Sequence, residues 1–120
     1  MAASSPAPFR VFLRLRTRPG SAQAFEQAWN LGADLIAGQA GSRGQWLARG
    51  TEAADTYYVV SDWADEESFR CYERSSAHAG HLARLRPYRA AGEMWTMAVL
   101  RDIPPATPLA ASQQAEREAP

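Results

Sequence analysis

The sequence predicts an α+β fold of the ferredoxin-like kind, βαββαβ, in which helices cover one face of an antiparallel sheet. Three observations support this prediction. Apolar and polar residues alternate in four separate segments, as in strands with one buried face. Two longer segments repeat apolar residues at helical spacing. The segments follow one another as strand, helix, strand, strand, helix, strand, which is the order of a split βαβ arrangement.

The first strand and the first helix are predicted within residues 9–40. Residues 9–17 alternate, and their apolar face consists of Phe9, Val11, Leu13 and Leu15. The following Arg18-Pro19-Gly20 breaks the strand. Ser21 is placed to cap a helix that ends near Ala40. The apolar residues of this helix fall at helical spacing and are Phe25, Ala28, Trp29 and Ile36.

A hairpin is predicted next, from strands at residues 44–49 and 57–63 joined by a polar turn at 50–55. Alternation places one set of side chains on a shared face: Tyr57, Val59, Ser61 and Trp63. A phenol, a hydroxyl and an indole on one face suit a cavity for a flat organic molecule, because such cavities have apolar walls with a few polar groups. The other face, with Tyr58 and Val60, is expected to serve packing alone.

The second helical region begins at Asp65, the predicted N-cap. Its inner side carries Phe69, Tyr72 and Ala77. Ser75-Ser76 is expected to interrupt the helix before a second piece that ends at Pro87 and holds His78, His81, Leu82 and Leu85. Residues 93–101 alternate again and are predicted to form the last strand.

Length and composition limit the class of protein. The 120 residues fit one domain, which we place at residues 9–103, between a flexible arm at 1–8 and a disordered tail at 104–120. The 13 basic and 13 acidic residues cancel, which argues against nucleic acid or an anionic membrane as a partner. The single Cys71 excludes an internal disulfide and is expected to be buried. No signal peptide or membrane-spanning run is evident, which predicts a cytoplasmic protein.

One face of the predicted sheet has no helices to cover it. This open face is expected to carry Arg14, Phe12, Trp63 and either Trp46 or Leu47, which is too apolar for a surface in water. A two-fold homodimer, with two sheets packed face to face as a dimeric α/β barrel and a cavity on each side, would bury it. The sequence therefore predicts a homodimer.

The titratable candidates each have two interpretations. His78 and His81 share one side of a helix, where either could be a general base or a surface or cap residue. No carboxylate is placed to complete a metal site with them, so no metal is predicted. Tyr57 and Tyr72 could bind a phenolate or simply pack, and Arg14 could hold an anion or lie at a solvated edge.

Several stretches of the chain together carry a resemblance to a known family. They are Pro19-Gly20 with Phe25, Gly44-Gln45-Trp46-Leu47, Tyr57 to Trp63 with the acidic residues after it, Phe69, Ser75-x-x-His78, and Leu85-Arg86-Pro87-Tyr88-Arg89. Over about residues 9–101 the chain resembles the antibiotic biosynthesis monooxygenase family, whose members are dimeric α/β barrels. Within it, the chain is most similar to small proteins encoded beside bacterial aromatic polyketide synthases, including those of spore-pigment pathways.

The resemblance implies a cofactor-independent oxygenase that uses O2 to convert anthrone-like or naphthacenone-like polyphenols to quinones, without flavin, haem or metal. Trp63 occupies the position of the family's active-site tryptophan. Together with the reasoning above, this identifies Trp63, His78, Ser61 and Tyr72 as candidate catalytic residues. The candidate substrate-binding residues are Arg14, Phe12, Tyr57, Val59, Phe69, His81, Trp46 and Trp95.

The chain departs from the better-studied anthrone oxygenases at three positions. Val59 stands where they carry an asparagine, Phe69 where they carry a tyrosine, and Ala48 where they carry a histidine. Two alternatives therefore stay open, a polyketide cyclase of the same fold and a non-catalytic protein that binds a polyketide. Oxygen consumption separates the oxygenase from both.

Overall fold

The computed structural model describes residues 7–107. Its elements are β1 (Phe9–Thr17), α1 (Ala22–Ala37), β2 (Ser42–Arg49), β3 (Thr56–Trp63), α2 (Glu66–Glu73), α3 (Ser76–Leu85) and β4 (Arg89–Ala98). This order confirms the ferredoxin-like α+β prediction, with the second helical region divided in two. Most of the predicted arm at 1–8 and of the predicted tail at 104–120 lies outside the described residues.

The sheet is antiparallel, with strand order β2-β3-β1-β4. The predicted hairpin of β2 and β3 is confirmed. Side chains of directly opposed residues lie on the same face, and Leu47, Val59, Leu13 and Met94 form one such row across the four strands. This row belongs to the face that the three helices cover.

Strand ends differ from the predicted ones because neighbouring strands decide where pairing stops. The last strand was expected at residues 93–101, yet it begins at Arg89 and ends at Ala98. Ala98 pairs with Phe9, the first residue of β1, and beyond this pair only one backbone hydrogen bond is made, from the Val99 N–H to the Pro8 carbonyl at 2.9 Å. At the other end Thr17 pairs with Arg89 across an irregularity in the register, which extends β4 backwards.

Trp63 lies on the helix-covered face of the sheet. The prediction that it lies on the open face is therefore wrong. Trp63 pairs with Phe9 in the register of β1 and β3, and its side chain has 0% exposure. There it packs in a core cluster with Val11, Ile36, Phe69 and Tyr72. Leu47 also lies on this face, whereas Trp46 lies on the open one. Alternation groups residues by face, but it does not say which face the helices cover.

A second core cluster fills the other half of the space under the helices. Its buried members are Leu15, Phe25, Ala28, Trp29, Tyr57, Val59 and Leu85. The predicted inner residues of α1 and of α2 are all buried. Cys71, in contrast, is exposed on α2, because Phe69 and Tyr72 take the inner positions of that short helix. The expectation of a buried cysteine is wrong.

The predicted interruption at Ser75-Ser76 is confirmed, since α2 ends at Glu73 and α3 begins at Ser76. Ser75 has extended backbone geometry and caps α3, because its hydroxyl accepts a hydrogen bond of 3.2 Å from the His78 backbone N–H. The same hydroxyl donates to the Tyr72 carbonyl. One side chain thus holds the corner from which Tyr72 and His78 project.

Replacing Ser75 with alanine should lower the free energy of unfolding by about 1 kcal/mol, because the first turn of α3 loses its cap. Urea unfolding followed by circular dichroism measures the change. The exposed neighbour Ser76 lies inside the first turn and makes no cap, so Ser76→Ala is the matched control and should be close to neutral. Equal losses in the two variants would contradict the assignment of Ser75 as the cap.

Candidate functional site

A cavity of about 230 Å³ lies between the helix-covered face of the sheet and the three helices. Its sheet side is formed by Val11, Leu13, Leu15, Gln45, Val59, Ser61, Arg89, Gly92, Glu93 and Met94. Its helix side is formed by Trp29, Ile36, Phe69, Tyr72, Glu73, His78, His81, Leu82 and Leu85. Most of these side chains are apolar or aromatic, with a few polar groups among them. This composition suits a flat, largely apolar organic ligand.

Ser61 brings a hydroxyl into the cavity wall. Its Oγ accepts a hydrogen bond of 3.1 Å from the indole N–H of Trp63. Within residues 7–107 the hydroxyl proton of Ser61 has no acceptor, so it is available to a ligand oxygen. Trp63 itself does not line the cavity, and its indole stacks on Tyr72 with ring centroids 5.2 Å apart. Trp63 therefore supports Ser61 and Tyr72 from behind.

Tyr72 and His78 place a phenol and an imidazole side by side in the cavity wall. Their rings meet edge to face, with centroids 5.1 Å apart. Tyr72 is buried, and burial raises the pKa of its phenol to about 12. The phenol is therefore neutral near pH 7 and is a hydrogen-bond donor. His78 is half-buried and lines the same cavity.

His81 lies deeper, with 6% exposure, and packs edge-on against Trp29 at 6.4 Å. Burial, with smaller contributions from Arg84 and His78, lowers the pKa of His81 to about 4. Its ring is therefore uncharged near neutral pH. Among the described residues its Nδ1 is buried and has no hydrogen-bond partner. The two histidines thus differ in environment although they share one side of α3.

The cavity opens between α3 and β4. Leu82, Arg89, Glu93 and Met94 line it and are exposed. Every residue of β4 is exposed, because alternate side chains of this edge strand lie on the open face and those on the other face, such as Met94, lie at the margin of the helix cover. A ligand can therefore enter beside β4 without disturbing the two core clusters.

Four of the predicted substrate-binding residues lie on the open face of the sheet, away from the cavity: Phe12, Arg14, Trp46 and Trp95. Trp46, Val60, Phe12 and Trp95 are directly opposed across the four strands, and we call this row the ladder. Phe12 lies 5.8 Å from Trp95 and 5.8 Å from Tyr58 between ring centroids. Arg14 also lies on this face, where its guanidinium pairs with Glu93 and lies over the Trp95 ring. The structure does not bring these residues to Ser61.

Tyr57 is buried in the core and does not line the cavity. Its hydroxyl donates to the Glu26 carboxylate, which also lies 3.5 Å from the Arg49 guanidinium. Burial and this hydrogen bond raise the pKa of the phenol. The predicted residues that do meet at the cavity are Val59, Ser61, Phe69, Tyr72, His78 and His81.

Sequence reasoning did not assign Gln45, Trp29 or Ile36 to the site. Gln45 pairs with Ser61 and lies on the same face, so the hairpin register could have indicated it. Its side-chain amide donates to the Ala33 carbonyl at 2.8 Å and ties β2 to α1. Trp29 and Ile36 have helical spacing that indicates burial, but that spacing does not distinguish a core from a cavity wall.

Within residues 7–107 no group of three or more histidine, cysteine, aspartate or glutamate side chains is arranged to hold a metal ion. None of the helices in that range has the length and apolarity needed to cross a membrane.

Solved structures show the same fold. SnoaB, described as a cofactor-independent oxygenase from Streptomyces nogalater, is 20% identical with a TM-score of 0.74, over 82% of this chain and 99% of its own. The Pseudomonas aeruginosa protein PA3566 is 13% identical with a TM-score of 0.73, over 82% of this chain and 100% of its own. A candidate antibiotic biosynthesis monooxygenase from Bordetella bronchiseptica is 18% identical with a TM-score of 0.73, over 79% and 99%.

No curated protein matches the chain at a significant level. The sequence pattern of the family described as "Antibiotic biosynthesis monooxygenase" matches residues 8–84, which run from the start of β1 almost to the end of α3. This range contains the strand, corner and helices that carry Ser61, Trp63, Tyr72 and His78. The chain belongs to the antibiotic biosynthesis monooxygenase family.

Proposed function

We propose that the protein is a cofactor-independent monooxygenase that oxidises an aromatic polyketide intermediate, of the anthrone or naphthacenone type, to a quinone. Such a step belongs to the biosynthesis of a polyketide antibiotic or pigment. The observation that carries the proposal is the apolar cavity whose wall holds a free hydroxyl, a neutral phenol and a half-buried imidazole. Membership of the family and the likeness of fold to SnoaB support it.

The reaction needs no external reductant, because the substrate supplies the electrons. A CH2 group flanked by phenolic rings loses a proton and becomes a carbanion. The carbanion gives one electron to O2, and the two radicals combine to a peroxide. Loss of water from the peroxide leaves a carbonyl, so CH2 and O2 become C=O and H2O. The protein has to accept the first proton, stabilise the anion and exclude bulk water.

The cavity has residues for each of these tasks. We assign the first proton to His78, because His81 has a pKa of about 4 and is a weak base near neutral pH. Tyr72 and Ser61 are hydrogen-bond donors that would stabilise the developing oxyanion. Trp63 holds the Ser61 oxygen in place. The apolar walls exclude water from the bound ring.

We also propose that the protein is a two-fold homodimer joined through the open face. Trp46 and Trp95, the two ends of the ladder, are 50% and 42% exposed in the single chain. The charges beside the ladder are already paired within the chain, since Arg10 forms hydrogen bonds of 2.7 and 2.8 Å to Asp62 and Arg14 pairs with Glu93. A second copy would therefore cover an apolar row without leaving these charges unpaired.

Oxygen uptake by purified, metal-stripped protein offered a simple anthrone or tetracenone tests the proposal. The expected product has gained one oxygen atom and lost two hydrogen atoms. Saturable binding without turnover would instead favour a polyketide-binding protein, and one observation supports that second candidate. Val59 and Phe69 line the cavity and are apolar where the studied anthrone oxygenases carry an amide and a phenol. Altered ring closure of a poly-β-ketone without oxygen uptake would identify a cyclase.

Replacing Ser61 with alanine should lower kcat by about 100-fold, because one donor to the oxyanion is lost. Ser61→Thr keeps the hydroxyl and is the matched control, which should retain most of the activity. Steady-state oxygen uptake measures both. Ser61→Ala also leaves the Trp63 N–H without its acceptor, so both variants are assayed well below their unfolding temperatures. An unchanged kcat in a folded Ser61→Ala protein would remove Ser61 from the mechanism.

A further inference from the structure

Helices α1 and α3 approach each other closely where the His81 ring lies against Gly32. A β-carbon at position 32 would lie 2.1 Å from His81 Nδ1 and 2.8 Å from Cε1, which is closer than non-bonded atoms approach. The ring therefore occupies the space that any side chain at position 32 would need. Glycine inside a helix costs about 1 kcal/mol relative to alanine, so this residue is unfavourable for α1 itself.

The same ring is part of the cavity wall. His81 lines the cavity, and so do Trp29 and Ile36, which lie about one turn before and after Gly32 on α1. Between Trp29 and Ile36, whose own side chains line the cavity, Gly32 has no side chain, and the His81 ring from α3 fills that space. The position of the His81 ring relative to Gly32 therefore determines the width of the cavity between α3 and the sheet.

A side chain at position 32 would push the ring in a defined direction. To reach ordinary contact, His81 Nδ1 would have to move away from α1 by roughly 1.4 Å or more. Trp29 lies against one edge of the ring, and the Arg84 side chain lies near it on α3. The empty space beside the ring is the cavity of about 230 Å³. The displaced ring would enter it and shorten it at this end.

We infer that Gly32 is a specificity-determining residue: the missing side chain lets His81 recede between α1 and α3, and this sets the largest flat aromatic ligand that the cavity accepts. The inference rests on the proposed function for the class of ligand, a fused-ring phenol. It does not depend on oxidation of that ligand. Gly32 acts through His81 and is a positioning residue.

Two probes of different size test the inference through binding alone. Alizarin has three fused rings and naphthol has two, and each quenches tryptophan fluorescence when bound near an indole such as Trp29. Gly32→Ala should weaken alizarin binding by about tenfold or more and should leave naphthol binding within about threefold of wild type. The double variant Gly32→Ala with His81→Ala should recover the affinity for alizarin, because the added methyl group no longer meets a ring. Gly80→Ala is the matched glycine control, since a β-carbon there meets only the end of the Arg84 side chain at 3.9 Å.

The outcomes separate a size limit from a purely structural role. Equal loss of both probes in Gly32→Ala, unchanged alizarin affinity, or no recovery in the double variant would each overturn the inference. Should Gly32→Ala fail to fold, His81→Ala alone must raise the ratio of alizarin to naphthol affinity, and an unchanged ratio overturns the inference. Wild-type protein that binds neither probe overturns the proposed function as well. Wild-type binding with an unaltered size preference in the variants overturns this inference alone.

Discussion

Acidification from about pH 7 to about pH 4 should destabilise the fold by up to about 3 kcal/mol through His81 alone. In the unfolded chain this histidine takes up a proton near its ordinary pKa of 6.5, whereas in the folded protein burial lowers the pKa to about 4. Between these values the unfolded chain binds more protons, so the free energy of unfolding falls as the pH falls. The destabilisation by His81 is therefore absent above about pH 6.5, grows progressively below it and is nearly complete by about pH 4.

Urea unfolding curves measured across this pH range test the expectation, and His81→Phe is the matched variant. Phenylalanine keeps a flat ring beside Trp29 but does not titrate, so its stability should depend less on pH below about 6.5. The charged or titratable neighbours of His81 are Arg84 and His78, and both lower the pKa of His81. A His78→Phe variant separates the contribution of His78. Parallel stability curves for wild type and His81→Phe would contradict the prediction.

Replacing Phe12 with aspartate should convert the proposed homodimer to a monomer, with the dimer dissociation constant raised by about 100-fold or more. Phe12 lies near the centre of the ladder, between Val60 and Trp95, and the arginines on either side of it on this face of β1, Arg10 and Arg14, are already paired within the chain. A carboxylate at this position would be buried in the interface without a partner. Sedimentation at several protein concentrations measures the change.

An exposed leucine on the helical side is the matched control for this variant. Leu31 on α1 is 71% exposed and lies away from the open face, so Leu31→Asp should remain a dimer with unchanged affinity. Circular dichroism checks that both variants keep the fold. A Phe12→Asp protein that dimerises like wild type would show that the chains do not associate through the ladder. A monomeric Leu31→Asp would place the interface on the helices.

Much of the fold could be predicted from periodicity, because burial has a period of two in strands and about 3.6 in helices. The break between α2 and α3 was also predictable, since serine favours caps over helix interiors. The relation between faces could not be predicted in this way. Phe12 and Trp63 each belong to a recognisable alternation, but only the pairing of Phe9 with Trp63 shows that they lie on opposite sides of the sheet.

The candidate site was predictable where it lies on one continuous stretch. Ser61 follows from the β3 pattern, and Tyr72 and His78 follow from the helix pattern and the family resemblance. The remaining wall comes from segments far apart in the chain, such as Trp29 on α1 and Met94 on β4. Their meeting depends on the packing of α1 against α3 and of β4 against β1, which no local pattern encodes. The hydrogen bond from Trp63 to Ser61 likewise depends on side-chain rotation within a core.

The alternation of β3 has a consequence for how this protein tolerates change. Val60 belongs to the ladder, and its neighbour Ser61 belongs to the cavity. Because adjacent residues point to opposite faces, one inserted or deleted residue inside β3 would exchange the two sets of side chains. A single such event would remove the hydroxyl from the cavity and place a polar group in the ladder. Length variation among homologues of this chain should therefore concentrate in the turn at residues 50–55 and be absent from Thr56–Trp63.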